Sequence, residues 1–172
     1  MAKATVKQVV EEAKKLIGNP YCWGGNGETI EDMIRSFAKK NGQKEAQTDT
    51  MVAFIIEKII PAIMPIVLTD IHFQDCSGLI IEILRKLGVV NKDYDTTAEG
   101  LYNKCKSISK PQAGALAFFY DGTKHNHVGI CIDNKTVIHA YSVKVGVVCE
   151  PISDRADKWV DFGLLNSYIK YN

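Results

Sequence analysis

Neither sign of charge prevails in this chain: 21 lysines and arginines stand against 20 aspartates and glutamates, a net charge of +1 over 172 residues. That balance gives no electrostatic ground for binding nucleic acid or an anionic membrane. Histidine is scarce, with four (His72, His125, His127 and His139), and the five cysteines (Cys22, Cys76, Cys105, Cys131 and Cys149) are odd in number and lack framework spacing. No CxxC pair or Cys/His cluster is present, so neither a disulfide scaffold nor a metal site is expected. Residues 1–6 lack the apolar core of a secretory signal. The expectation is therefore synthesis in a reducing cytoplasm with free thiols, with export by a route that needs no signal left open. Repeats, low-complexity tracts and interdomain linkers are missing as well. The chain reads as a single domain over residues 1–172, and its composition, 46% hydrophobic and 24% charged, supports a sizeable core.

What is present divides into a helical first half and a strand-rich remainder. Thr5 and Gln8 have capping-box spacing, and Val6, Val9, Val10, Ala13, Leu16 and Ile17 mark one helical face that stops at Gly18. Residues 18–27 form a glycine-rich loop carrying Tyr21 and Trp23. Its rings either plug the core or wall a cleft, with Tyr21 presenting a hydroxyl. From about 28 to 72 the pattern is helical, with a second capping box at Thr29 and Asp32. The apolar run at residues 51–68 has the length of a membrane span, but Glu57 and Lys58 sit near its middle and Pro61 and Pro65 break its hydrogen bonding. A broken helical hairpin, or a face for a protein partner, is expected instead. Beyond it, β-rich runs at 115–120, 128–132, 136–140 and 145–149 are separated by turn residues. They predict an antiparallel meander, closed by the tail from Trp159. Helices first and strands afterwards make the fold class α+β.

The chemistry centres on Cys76. Leu79, Ile80, Ile83, Leu84 and Leu87 follow it with helical period, and Gly88 ends the helix. A thiol in the first turn meets the positive end of the helix dipole and free N–H groups, which favour thiolate. His127 and His139 lie 12 residues apart across the turn at Asp133 and Asn134, so neighbouring strands can bring them together. Nucleophilic cysteine chemistry needs a base beside the sulfur and a polar group to orient that base. Cys76, His127 and His139 supply these parts in that order. Strand alternation puts His125 on the same face as His127, so periodicity does not separate the two. Asp75 reads equally as a helix N-cap and as a substrate contact, and Ser77 as a backbone-bonding residue of the first turn.

Five blocks together resemble the NlpC/P60 family of cell-wall cysteine peptidases. They are Pro20-Tyr21-Cys22-Trp23-Gly24-Gly25, Asp75-Cys76-Ser77-Gly78-Leu79, residues 111–119, His127-Val128-Gly129-Ile130 and Val137-Ile138-His139-Ala140. The resemblance implies a papain-like core, with N-terminal helices packed on an antiparallel sheet. It implies Cys76 as nucleophile, His127 as base and His139 as third polar residue, with no cofactor. Peptidoglycan stem peptides are the implied substrate, cut between γ-linked D-glutamate and a diamino acid, with Tyr21, Asp75 and Ser77 as substrate contacts. The sequence departs from the pattern in the long stretch between Asn26 and Gln74, read as a helical insertion, and in Ala115, where an Asp is common. An amidase, acyltransferase or toxin-like hydrolase on the same scaffold is the alternative chemistry. A non-enzymatic protein working through the apolar insertion is the alternative without chemistry.

Overall fold

Thr5 caps the first helix as its spacing predicts: Thr5 Oγ1 accepts from the Gln8 N–H at 3.2 Å, and the Gln8 side chain accepts from the Thr5 N–H at 2.9 Å. In the computed structural model, which describes residues 2–40, 42, 44–54, 57 and 72–171, the chain forms two compact units. One comprises Met1–Gly27 with Gln74–Asn172, the other Glu28–Phe73.

In the first unit, strand β1 (Ala4–Thr5) leads into α1 (Val6–Lys15) and pairs in parallel with β10 (Ile169–Lys170). The main sheet has six strands in the order β4 (Lys106–Ile108), β9 (Trp159–Leu164), β5 (Leu116–Tyr120), β6 (His125–Cys131), β7 (Thr136–Ser142) and β8 (Gly146–Pro151). Strands β5 to β8 form the expected meander. The tail does not close an edge, however: β9 inserts between β5 and the short strand β4. Burial of Trp159 and Gly163 suits β9 to that interior place, whereas the polar, exposed start of β4 suits the rim.

Helix α4 (Cys76–Lys86) is the hub. Every residue from Cys76 to Leu84 is buried, including Ile81, which lies outside the expected apolar face. Leu79, Ile80, Ile83 and Leu84 pack with Val9 and Ala13 of α1 and with Phe118, Val128, Ile130 and Ile138 of the sheet. Each such fully buried side chain contributes roughly 1.5–3 kcal/mol of transfer free energy. Glu82 is buried too, and is held by the Gln74 amide and by Lys86 Nζ at 2.7 Å. A short helix, α5 (Ala98–Tyr102), follows Thr97, whose side chain accepts from the Gly100 N–H.

The pairing of β5 with β6 is irregular where it matters. Phe119 pairs with His127, but Tyr120 pairs with His125, so Asn126 is an extra residue in the ladder. The bulge turns His125 and His127 to opposite faces, which corrects the expectation from strict alternation. His125 stacks on Tyr102 at 3.5 Å, while His127 lies against Phe119 and Trp159.

In the second unit, helices α2 (Ile30–Lys40) and α3 (Glu45–Phe54) occupy the region read as helical. Thr29 and Asp32 form the second capping box, with bonds of 2.9 and 3.1 Å. Arg35 joins the helices through Glu31 and Asp49. Strands β2 (Asn26–Thr29) and β3 (His72–Gln74) pair where the chain passes between the units, so His72 is a strand residue and not a loop residue. The expected hairpin at residues 51–68 lies, past Phe54 and apart from Glu57, outside the described residues. Among those described, no helix is long and apolar enough to cross a membrane.

Candidate active site

The loop before β2 and the start of α4 are built as one piece. The Cys22 N–H donates to Gln74 O at 3.1 Å, the Asp75 N–H to Gly25 O at 2.9 Å, and the Gly24 N–H to Asp75 Oδ2 at 3.0 Å. Such close approach requires glycine at position 78, because a Cβ there would stand 1.7 Å from Gly25 O. Asp75 Oδ1 takes the Gly78 N–H at 2.7 Å and the Ser77 hydroxyl at 3.0 Å, so Asp75 is the N-cap of α4.

A cavity of about 660 Å³ in the first unit opens onto this corner. Tyr21, Trp23, Asp75, Cys76, Ser77 and His127 line it, together with Phe119, His125, Tyr141 and the stretch from Asp95 to Glu99. Trp23 is 86% exposed at this cavity, so it does not plug the core. His139 lies behind His127, fully buried.

Cys76 is not poised as a free thiolate. Burial first, and then the charge of Asp75, push its thiol up to about 11. The N–H groups of Val128, Ser77 and Cys76 itself point at the sulfur and oppose that rise. The expectation from the helix dipole fails because the positive end of α4 is already occupied by a carboxylate and the sulfur is shut away from water. The same corner pushes the Tyr21 hydroxyl up to about 12, through burial and the nearby Cys76 and Asp75 charges.

His127 Nε2 lies 2.7 Å from His139 Nδ1. The β6–β7 ladder is short, with Ile130 opposite Ile138 and Cys131 opposite Val137, which sets Gly129 beside His139. A Cβ at Gly129 would come within 2.7 Å of Val137 Cγ2 and 2.9 Å of His139 Cβ, so glycine is what lets the two strands approach here. Burial, then the charges of His139 and Arg155, push the His127 imidazole down to about 3. Burial also lowers His139, against the pull of Glu150. The pair is therefore neutral at ordinary pH. His125, although on the same cavity, has both ring nitrogens occupied, by Glu99 at 2.8 Å and Asp161 at 2.9 Å. Both of its ring nitrogens are thus committed to carboxylates.

Sequence reasoning missed what stands behind His139. Its Nε2 meets Glu150 Oε1 at 3.0 Å, and Arg155 grips the same carboxylate with Nε at 2.6 Å. The sequence shows a lone acid at the end of an otherwise apolar strand, and only the β7–β8 register brings it to His139. The Asp95–Glu99 wall was missed as well. In sequence it reads as a turn followed by a short helix to about Cys105, and only tertiary folding carries it to the cavity. Among the described residues, no group of three or more His, Cys, Asp or Glu side chains is placed to hold a metal ion.

Residues 65–161, more than half of the chain, match the model of the NlpC/P60 family. The probable peptidoglycan endopeptidase LytE of Bacillus subtilis (strain 168) is 28% identical over 138 residues, 80% of this chain and 28% of LytE. The chain thus spans little more than a quarter of that curated relative. The NlpC/p60 domain of the peptidoglycan hydrolase SagA is similar in structure, with a TM-score of 0.57 and 21% identity, over 92% of this chain and 97% of that one. The peptidoglycan hydrolase RipB of Mycobacterium tuberculosis superposes with a TM-score of 0.59 at 19% identity, over 96% and 65% of the two chains. These likenesses show the α+β fold, with a papain-like core.

Proposed function

Because the chain belongs to the NlpC/P60 family, we propose that it is a cysteine endopeptidase of peptidoglycan stem peptides. The bond cut is the amide between γ-linked D-glutamate and the following diamino acid. The observation that carries this reading is the cavity shared by Cys76 and His127, with a second imidazole bonded behind the first at 2.7 Å. The peptidoglycan hydrolase names of LytE, SagA and RipB point to the same substrate class.

The sulfur of Cys76 attacks the amide carbon as its proton passes to His127. The carbonyl oxygen becomes an oxyanion, for which the N–H groups at the start of α4, that of Cys76 among them, are the nearest donors. His127 then protonates the departing amine and the C–N bond breaks, leaving a thioester on Cys76. Water attacks the thioester, giving its proton to His127, and the carboxylate leaves as the thiol re-forms. His139 orients His127 throughout. Tyr21, Asp75 and Ser77 receive the amino end of the stem peptide: a hydroxyl and a carboxylate suit an ammonium group.

Mass spectrometry of purified muropeptides and of free L-Ala-γ-D-Glu-diamino acid peptides tests this reading. The expected product is a released dipeptide, and Cys76→Ala is expected to lower its yield on the order of 10⁴-fold or more. Preference for intact sacculi would assign the protein to cell-wall lysis, and preference for free peptides to recycling. Intact substrates after incubation with a reactive Cys76 would overturn the assignment.

A further inference from the structure

We infer that Glu150, clamped by Arg155, is a positioning residue that fixes the tautomers of both active-site imidazoles. The inference rests on the reading of Cys76 and His127 as nucleophile and base.

Strands β6, β7 and β8 deliver the three side chains to one face of the sheet. Val137 pairs with Glu150 and His139 with Val148, so His139 and Glu150 are diagonal neighbours on that face. Arg155 follows on a short 3₁₀ turn (Ile152–Arg155) anchored by the bond from the Ile152 N–H to Lys135 O at 2.7 Å. Its Nε and Nη2 reach the two carboxylate oxygens at 2.6 and 3.4 Å. Its Nη1 donates to the Tyr141 hydroxyl at 3.0 Å, with the guanidinium 3.9 Å from the centre of that ring. The fork leaves the carboxylate little freedom to turn. Burial works against ionisation of Glu150, but the bonds and charges of Arg155 and His139 hold its carboxyl below the usual range.

An ionised carboxylate only accepts. At 3.0 Å from Glu150 Oε1, His139 Nε2 must therefore carry a proton. A neutral imidazole has one N–H, so His139 Nδ1 is a lone pair. That lone pair faces His127 Nε2 at 2.7 Å, and the contact is attractive only when His127 Nε2 is the donor. The lone pair of His127 is then on Nδ1, the one ring nitrogen not consumed by the chain and hence the atom that takes the Cys76 proton. With the opposite tautomers two lone pairs would oppose each other at one end of the chain. Glu150 thus decides, through two rings, which nitrogen is basic.

Nitrogen-15 NMR of histidine-labelled full-length protein at slightly alkaline pH reads the tautomers directly. Both His127 and His139 are expected as Nε2–H forms in the unaltered protein. Glu150→Ala is expected to leave His139 a mixture and to slow alkylation of Cys76 by iodoacetamide about tenfold or more. Glu150→Gln, whose amide oxygen still accepts from His139, is expected to restore the Nε2–H form and most of the rate. A merely structural Glu150 would not give that split. The inference is overturned by a His127 Nδ1–H tautomer in the unaltered protein, which needs no variant to fold, or by an unchanged spectrum and rate in Glu150→Ala. Neither readout uses peptidoglycan. Uncut muropeptides with these tautomers present would count against the substrate alone, and reversed tautomers with cut muropeptides against Glu150 alone.

Discussion

At Cys76 two influences oppose each other. Burial and the Asp75 carboxylate disfavour the thiolate, while three backbone N–H groups favour it, and the first pair prevails, with the thiol pushed up to about 11. His127 beside the same cavity is pushed down to about 3. In the proposed reaction, transfer of the proton before attack would create two disfavoured charges, which favours coupled transfer and attack and makes the direction of the His127 lone pair decisive. Asp75→Asn removes the charge and keeps an oxygen to cap the Gly78 N–H, at the cost of the Gly24 N–H bond to Oδ2. The rate of Cys76 alkylation by iodoacetamide, followed against pH, is expected to rise at lower pH in this variant than in the unaltered protein. An unmoved profile would show that burial alone sets the thiol.

At the scale of elements, Cys76 is positioned by docking a loop onto a helix end. Gly78→Ala drives a methyl group to 1.7 Å from Gly25 O, a backbone atom without a rotamer to escape into. The variant is expected to lose about 3 kcal/mol of stability in chemical denaturation and to separate Tyr21 from Cys76, with activity lost alongside. What was legible in the sequence follows the range of the forces involved. The capping boxes at Thr5 and Thr29, the periodic face of α4 and the meander each depend on residues a few positions apart, and they appear as read. The place of β9 between β4 and β5 depends on pairings between Leu116–Phe119 and Trp159–Gly163, which no local pattern records. The bulge at Asn126 is equally silent, yet it separates His125 from His127. Cys76, His127 and His139 were readable because each begins or continues a recognisable element. Glu150 was not, because its partner is fixed by register, and register is a property of two strands.

At the scale of the molecule, the sheet closes around two imidazoles that are held uncharged, and this ties stability to pH. In the unfolded chain His127 takes up a proton near pH 6.5, whereas in the native state it does so only near 3. Between those values the unfolded chain binds more protons than the native one, so native stability falls as the pH is lowered. The contribution is fully present above about 6.5 and is lost at roughly 1.4 kcal/mol per pH unit for one such group. His139, also lowered by burial, adds in the same direction. Carboxyl groups held low by hydrogen bonds act in a separate window. Asp121, brought to about 2 by Thr123 and Lys124, matters only below about pH 4. Between pH 7.5 and pH 5 the imidazoles therefore dominate, and the loss from His127 alone is about 2 kcal/mol. For a chain of this length that lowers the melting temperature by about 5 °C, measurable by circular dichroism. His127→Gln removes the titrating group, so its melting temperature should change less over the same interval. Equal shifts in the two proteins would mean that His127 is already protonated in the native state, and that the base on which the proposed chemistry depends is absent at acidic pH.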